Sequence, residues 1–161
     1  MKKMKTRLAL LVGVCIAVSR AGSAAGGGPA ASDTPIKVTV AVSPAMVGAG
    51  SDALVTVKLD PKPGIKLNKY PKIKLQVPAA PGLVGAAEQS MGNPAPPPPD
   101  QLDANYFHGA IDPLTLTLHL DSQAVKGPHE VRAKLSYFYC VAASGYCAPA
   151  KTELTIPVTV R

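Results

Sequence analysis

No tryptophan occurs in this sequence, and its aromatic complement is two phenylalanines and five tyrosines. The buried indole that packs on the inter-sheet bridge of antibody domains is therefore excluded. No apolar run reaches the length of a membrane-spanning helix; the longest, Leu8 to Val18, has 11 residues. No segment carries an apolar stripe of period 3.6 over three turns, which argues against helical packing. The sequence has no Gly-x-Ser-x-Gly, no His-Glu-x-x-His and no phosphate-cradling glycine loop ahead of a helix, so no hydrolase or nucleotide-binding constellation stands out. The Gly26-Gly27-Gly28 run lies in a tether-like stretch instead.

The first 24 residues read as a removable export signal. Lys2, Lys3, Lys5 and Arg7 precede the apolar run, and small residues follow it, with Ser19-Arg20-Ala21 or Gly22-Ser23-Ala24 placed to precede a cut. Cys15 lies inside the apolar run between Val14 and Ile16, which does not fit the small residue and polar exit of a lipid-attachment site. Removing residues 1–24 takes away five of the 17 Lys and Arg and none of the acids, leaving 12 basic against 10 acidic side chains. The high isoelectric point is thus mostly the signal's, and nucleic acid is not an expected partner. The mature chain is expected to be periplasmic or secreted, without membrane insertion. Residues 25–35, rich in Gly, Ala, Ser and Pro, read as a flexible linker.

From residue 36 the pattern is that of strands. Ile36, Val38, Val40 and Val42 alternate with polar or small residues, as do Val55, Val57 and Leu59, then Ile73, Leu75 and Val77, then Leu114 to Leu120. Glu130 to Tyr139 and Thr152 to Val160 bring the set to at least six, with turn residues between them. The economical architecture is all-β: an immunoglobulin-like antiparallel β-sandwich over 36–161. Residues 78–105, with Pro78, Pro81 and the run Pro94-Ala-Pro-Pro-Pro-Pro99, are expected to form a long exposed loop, because proline cannot join a central ladder.

The stretch richest in chemistry is Leu135 to Pro149. Cys140 and Cys147 flank six mostly small residues between two strand-like runs, which reads as a hairpin tip. A disulfide there would close a loop of eight residues, for which chain entropy gives about 2.5 kcal/mol. It would tie no distant parts of the chain, so it is poorly placed as a staple. A hairpin tip can instead present sulfur to a partner, and exchange needs that access. From the residues alone, staple and redox couple stand even.

This segment resembles the N-terminal periplasmic domain of the thiol:disulfide interchange protein DsbD and the related disulfide bond corrector domains. Tyr137-Phe-Tyr-Cys140 and Cys147-Ala-Pro149 are similar to the family's cysteine hairpin and its proline-containing exit. Phe107-His108-Gly109 ahead of Leu114-Thr-Leu116 is similar to its cap loop, and Pro63-Gly-Ile-Lys-Leu-Asn68 to a turn and strand of the corrector domains. The resemblance implies an immunoglobulin-like fold and a redox-active Cys140–Cys147 pair, with Cys147 as the sulfur attacked. Phe107, with Tyr106 and His108 beside it, would shield the disulfide, and Tyr137, Tyr139 and Pro149 would flank it. The expected role is that of a redox carrier between a membrane thiol reductase and thioredoxin-like exported proteins, with no cofactor. The chain departs from the family in having six residues between the cysteines instead of five, and Asn105-Tyr106 where the family has an acidic pair. These departures motivate the alternative, a structural or ligand-binding module with a stabilising disulfide.

The remaining candidates are weaker. His108, His119 and His129 share no metal-ligand spacing, and no metal site is expected. His108 could favour a thiolate if protonated, or be a plain loop residue. Lys62, Lys66, Lys69, Lys72 and Lys74 fall within 13 positions. They read either as a docking surface for an acidic partner or as a solvent face that discourages sheet-to-sheet aggregation.

Overall fold

Period-two alternation dictates the architecture of residues 34–161, the part of the chain that the computed structural model describes. The expected signal, 1–24, and residues 25–33 of the expected linker lie outside the described residues. The strands are β1 (Ile36–Ser43), β2 (Met46–Val47), β3 (Asp52–Pro61), β4 (Ile65–Leu67), β5 (Ile73–Val77), β6 (Ala87–Met91), β7 (Leu114–His119), β8 (Gly127–Val141) and β9 (Cys147–Val160). A short, kinked 3-10 segment, Pro99–Asn105, precedes β7.

Two sheets result. One has the order β1-β3-β7, the other β2-β9-β8-β5-β6, with β4 pairing a further stretch of β8. The grouping of first, second and fifth main strands opposite the remaining ones is that of an immunoglobulin-like sandwich. Its ladders are antiparallel apart from the two-residue β2–β9 pair. The chain passes from the edge of one sheet to the edge of the other between β1 and β2, through a cis Ser43–Pro44 bond.

Each strand delivers one face to the core. Ala53, Val55, Val57 and Leu59 of β3 are buried while Asp52, Leu54 and Lys58 face out. Leu114, Leu116 and Leu118 do the same in β7, and Ile73, Leu75 and Val77 in β5. From β8 come Val131, Ala133, Leu135 and Tyr137, and from β9 Ile156, Val158 and Val160. Burial of such side chains is worth roughly 1.5–3 kcal/mol each, and this layer holds the sheets together.

The expected long loop over 78–105 is corrected. Ala87–Met91 forms edge strand β6, in register with β5 from Ile73↔Met91 to Val77↔Ala87. Val84 is buried and bridges both Ala80 and Leu120. Residues 78–86 stay outside the ladders apart from the bridges at Ala80 and Val84, and so does 92–105, which holds the proline run whose missing amide hydrogens bar it from a ladder. β6 escaped the alternation test because Ala-Glu-Gln-Ser-Met offers the core only Ala87 and Met91, with Gln89 between them, too weak an apolar period to read as a strand.

Gly92, immediately after β6, has φ +120°, and a Cβ there would collide with the Lys69 carbonyl oxygen. Asn93 donates its amide hydrogen to that same oxygen at 2.8 Å. The end of β6 is thereby pinned to the segment that follows β4.

Candidate functional site

The site begins with the turn before β4. Ile65 donates to the Lys62 carbonyl at 3.0 Å, Pro63 fills the second position and Gly64 the third with φ +79°. That is the residue pattern of a type II turn. It reverses the chain so that β4 runs beside the outer end of β8, with Ile65↔Val141, Lys66↔Cys140 and Leu67↔Tyr139 in register. The Gly64 carbonyl also accepts from Ala142 at 2.8 Å, fastening this turn to the hairpin tip.

The β8–β9 hairpin stays in register along its length and ends at Cys140↔Cys147. The two cysteines form a disulfide, with Cα atoms 4.0 Å apart. Beyond it Val141 donates to the Tyr146 carbonyl at 2.8 Å, and Gly145, at φ +69°, donates to the Val141 carbonyl at 2.8 Å. Small residues and one glycine are what so tight a reversal demands. The bond links residues that the ladder already opposes.

Its two sulfurs belong to unlike environments. Cys147 is exposed, whereas Cys140 is 4 % exposed. The core does not bury Cys140. Alternation sends Val131, Ala133, Leu135 and Tyr137 inward, so Cys140 faces the outer side of its sheet, and it is absent from the hydrophobic core cluster.

The cover comes from Asn105–Phe107. Asn68 and Tyr106 form an isolated antiparallel bridge, and Phe107 donates to the Leu67 carbonyl at 3.0 Å. Lys69 donates to the Asn105 carbonyl, and the Asn105 side chain makes two hydrogen bonds with the Tyr70 backbone. This short backbone ladder gives neighbouring residues opposite faces. Tyr106 reaches Cys140, its hydroxyl donating to Sγ at 3.6 Å. Phe107 packs against the core cluster, with Lys69 Nζ 5.8 Å from its ring centroid. Of the two cap aromatics, Tyr106 is thus the one whose polar end meets the inner sulfur.

Other polar groups gather there. Asn68, the buried polar residue of the described chain, places Oδ1 3.5 Å from Cys140 Sγ. Lys66 Nζ stands 4.7 Å from the Tyr106 ring centroid, a cation–π distance, and 3.5 Å from Asp103 Oδ1. His108 is exposed; its Nε2 lies 3.1 Å from the Asp103 carbonyl and 3.6 Å from that carboxylate. It bears on the sulfurs only through Asp103.

The flanking residues fall on two faces. Tyr137 is buried and Tyr139 half-buried on the core side, with ring centroids 6.3 Å apart. Burial pushes the Tyr137 phenol above its ordinary value, partly offset by its hydrogen bond with Thr152, and the neighbouring Tyr139 adds a smaller upward push. Pro149 is exposed on β9, opposite Phe138. His119 pairs with Asp52 at 2.7 Å and His129 with the Val125 carbonyl at 2.6 Å, both away from the disulfide. Among the described residues no group of three His, Cys, Asp or Glu side chains gathers to hold a metal.

Sequence reasoning singled out the cysteines and the cap but missed Asn105, Asp103 and the part played by Asn68. Only the Asn-Tyr pair ahead of Phe107 hinted at the clamp, since asparagine commonly hydrogen-bonds backbone.

No family model matches the chain, and no curated protein matches it. Among solved structures it is similar to murine CRIg, at 12% identity and a TM-score of 0.35, over 78% of this chain and 98% of that chain. A likeness at that level carries no argument about function.

Proposed function

We propose that this domain is an exported thiol–disulfide exchange carrier working through Cys140 and Cys147. The observation that carries the reading is the asymmetry of the pair: an exposed sulfur bonded to one that a polar cap buries on the outer side of a sheet. A partner thiolate can approach Cys147 from solvent, and stray attack on Cys140 is blocked. The staple reading gains little from the geometry, because the bond joins residues already opposed in a ladder.

The chemistry balances without a cofactor. A partner thiolate bonds to Cys147 Sγ, and the electron pair of the broken S–S bond passes to Cys140 Sγ. A second partner thiolate then attacks the partner's own sulfur in the mixed disulfide and releases Cys147. The partner leaves oxidised, and the domain holds two thiols after taking up two electrons and two protons. A membrane thiol reductase would supply the electrons, and thioredoxin-like exported proteins would receive them.

The test is the reduction potential of residues 25–161, set by equilibration with glutathione or dithiothreitol and read by thiol alkylation and mass spectrometry. A value near about −200 mV, the range of dedicated exchange proteins, supports the carrier. A value below about −300 mV identifies a structural bond, and the domain is then a binding or adhesive module. The Cys140→Ser variant adds a second check: a carrier accumulates mixed disulfides through Cys147, and Cys140→Ser/Cys147→Ser accumulates none.

A further inference from the structure

The register of three strands places Lys66, Cys140 and Cys147 in one lateral row on the same face of the sheet. Directly opposed residues in antiparallel ladders have Cβ atoms about 4.5–5.5 Å apart, so the Lys66 stem begins beside the inner cysteine. Its ammonium lies over the Tyr106 ring, and the hydroxyl of that ring donates to Cys140 Sγ. Asn68, just past β4, faces the same sulfur with its amide oxygen Oδ1 at 3.5 Å, an acceptor that can take a hydrogen bond from a thiol and offers none to a thiolate. A disulfide sulfur is a poor acceptor with no charge to stabilise. A thiolate accepts strongly, and a buried one is costly unless donors and a cation attend it. The Tyr106 hydroxyl and the Lys66 ammonium suit a thiolate better than the disulfide now beside them, and Asn68 Oδ1 opposes them.

We infer that Tyr106 and Lys66 form a cradle that stabilises the Cys140 thiolate, so that Cys140 leaves readily when Cys147 is attacked. The inference rests on the exchange reading and adds to it what receives the charge of the leaving sulfur. A partner thiolate bonds to Cys147 Sγ; the S–S electron pair stays on Cys140 Sγ; the Tyr106 hydroxyl holds it by hydrogen bond, and Lys66 supplies the opposing charge. Exchange quickens as the leaving thiol becomes more acidic. The charged and titratable groups that bear on Cys140 are Lys66 on β4, Tyr106, and Asp103 with His108 behind it. Asp103 opposes Lys66, His108 partly offsets Asp103 when protonated, and Tyr146 sits beside Cys147 at the exposed tip.

The experiment is a pH titration of the cysteine ¹³Cβ shifts in the reduced domain, with reduction by glutathione followed in parallel. Cys140 is expected to ionise at least one pH unit below Cys147. Tyr106→Phe and Lys66→Gln are expected to move Cys140 upward while leaving Cys147 in place, and to slow reduction roughly tenfold per unit of upward movement at most. Lys66→Arg, which keeps the charge, is expected to restore both readouts. A pair that equilibrates with glutathione while Cys140 ionises no lower than Cys147, or ignores both substitutions, overturns the cradle and leaves the carrier standing. A pair that glutathione never reduces overturns the carrier, and the cradle falls with it.

Discussion

Asn105 holds Tyr70 through both ends of its side-chain amide: Oδ1 accepts from the Tyr70 amide at 2.8 Å, and Nδ2 donates to the Tyr70 carbonyl at 3.0 Å. The pair fastens the cap to the chain after β4 and so sets which face Tyr106 presents. Two hydrogen bonds of about 1 kcal/mol net each are at stake. In Asn105→Ala the amides of Lys69, Tyr70 and Phe107 are expected to exchange with solvent about tenfold faster or more, with the sheet core unaffected. Uniform acceleration, or none, would show that the cap is held by other means.

Reducing the disulfide should cost little stability. The eight-residue loop gives an upper estimate of about 2.5 kcal/mol, and the existing ladder lowers it. Denaturant midpoints of oxidised and reduced protein are expected to differ by less than the effect of Leu75→Ala or Leu118→Ala. Both leucines are fully buried, and their truncation costs about 2–5 kcal/mol. A reduced form that fails to fold would contradict this ranking.

Gly82 and Gly92 make a contrasting pair. Gly82 has φ +73° and nothing within 4 Å of a would-be Cβ, whereas at Gly92 the Lys69 carbonyl blocks the Cβ position. Gly82→Ala is expected to cost about 1 kcal/mol of backbone strain. Gly92→Ala should cost about 3 kcal/mol or more, because the backbone oxygen cannot step aside without losing its bond to Asn93. Equal losses by thermal denaturation would argue against the pinned end of β6.

Alkali gives a test of the Tyr137 environment. Burial raises its phenol pKa in the folded state, while the unfolded chain ionises near about 10. The native state therefore keeps a proton that the unfolded state loses, and stability is full below about pH 10 and declines as pH rises beyond it. In Tyr137→Phe that alkaline decline is expected to be shallower, measured as midpoint against pH between about 9 and 11. A decline of unchanged slope would place its origin elsewhere.

The strands that carry a core face were legible because alternation records which face is buried: β1, β3, β5, β7, β8 and β9 all announce themselves in apolar residues at every second position over much of their length. The others were not. β2 and β4 have two and three residues, too few for a period. β6 is an edge strand whose partner, not its composition, makes it a strand. At the site, the opposition of Cys140 and Cys147 followed from local hairpin chemistry. The facing of Tyr106 and Phe107 did not, because it depends on the bridge between Tyr106 and Asn68 and on the Asn105 clamp. A one-residue slip in that pairing would exchange the two rings.

The ladders also impose an order in time. β5 meets β6, and β8 meets β9, across short separations, but Lys74 and Ser136 of the β5–β8 ladder stand 62 positions apart. Closing so long a loop is slow relative to making a hairpin. Cys140 and Cys147 are therefore expected to come face to face in the hairpin before β4 arrives and before the cap residues have anything to lie on. The interval between those two events is when both sulfurs stand open to any oxidant or thiol in the surroundings.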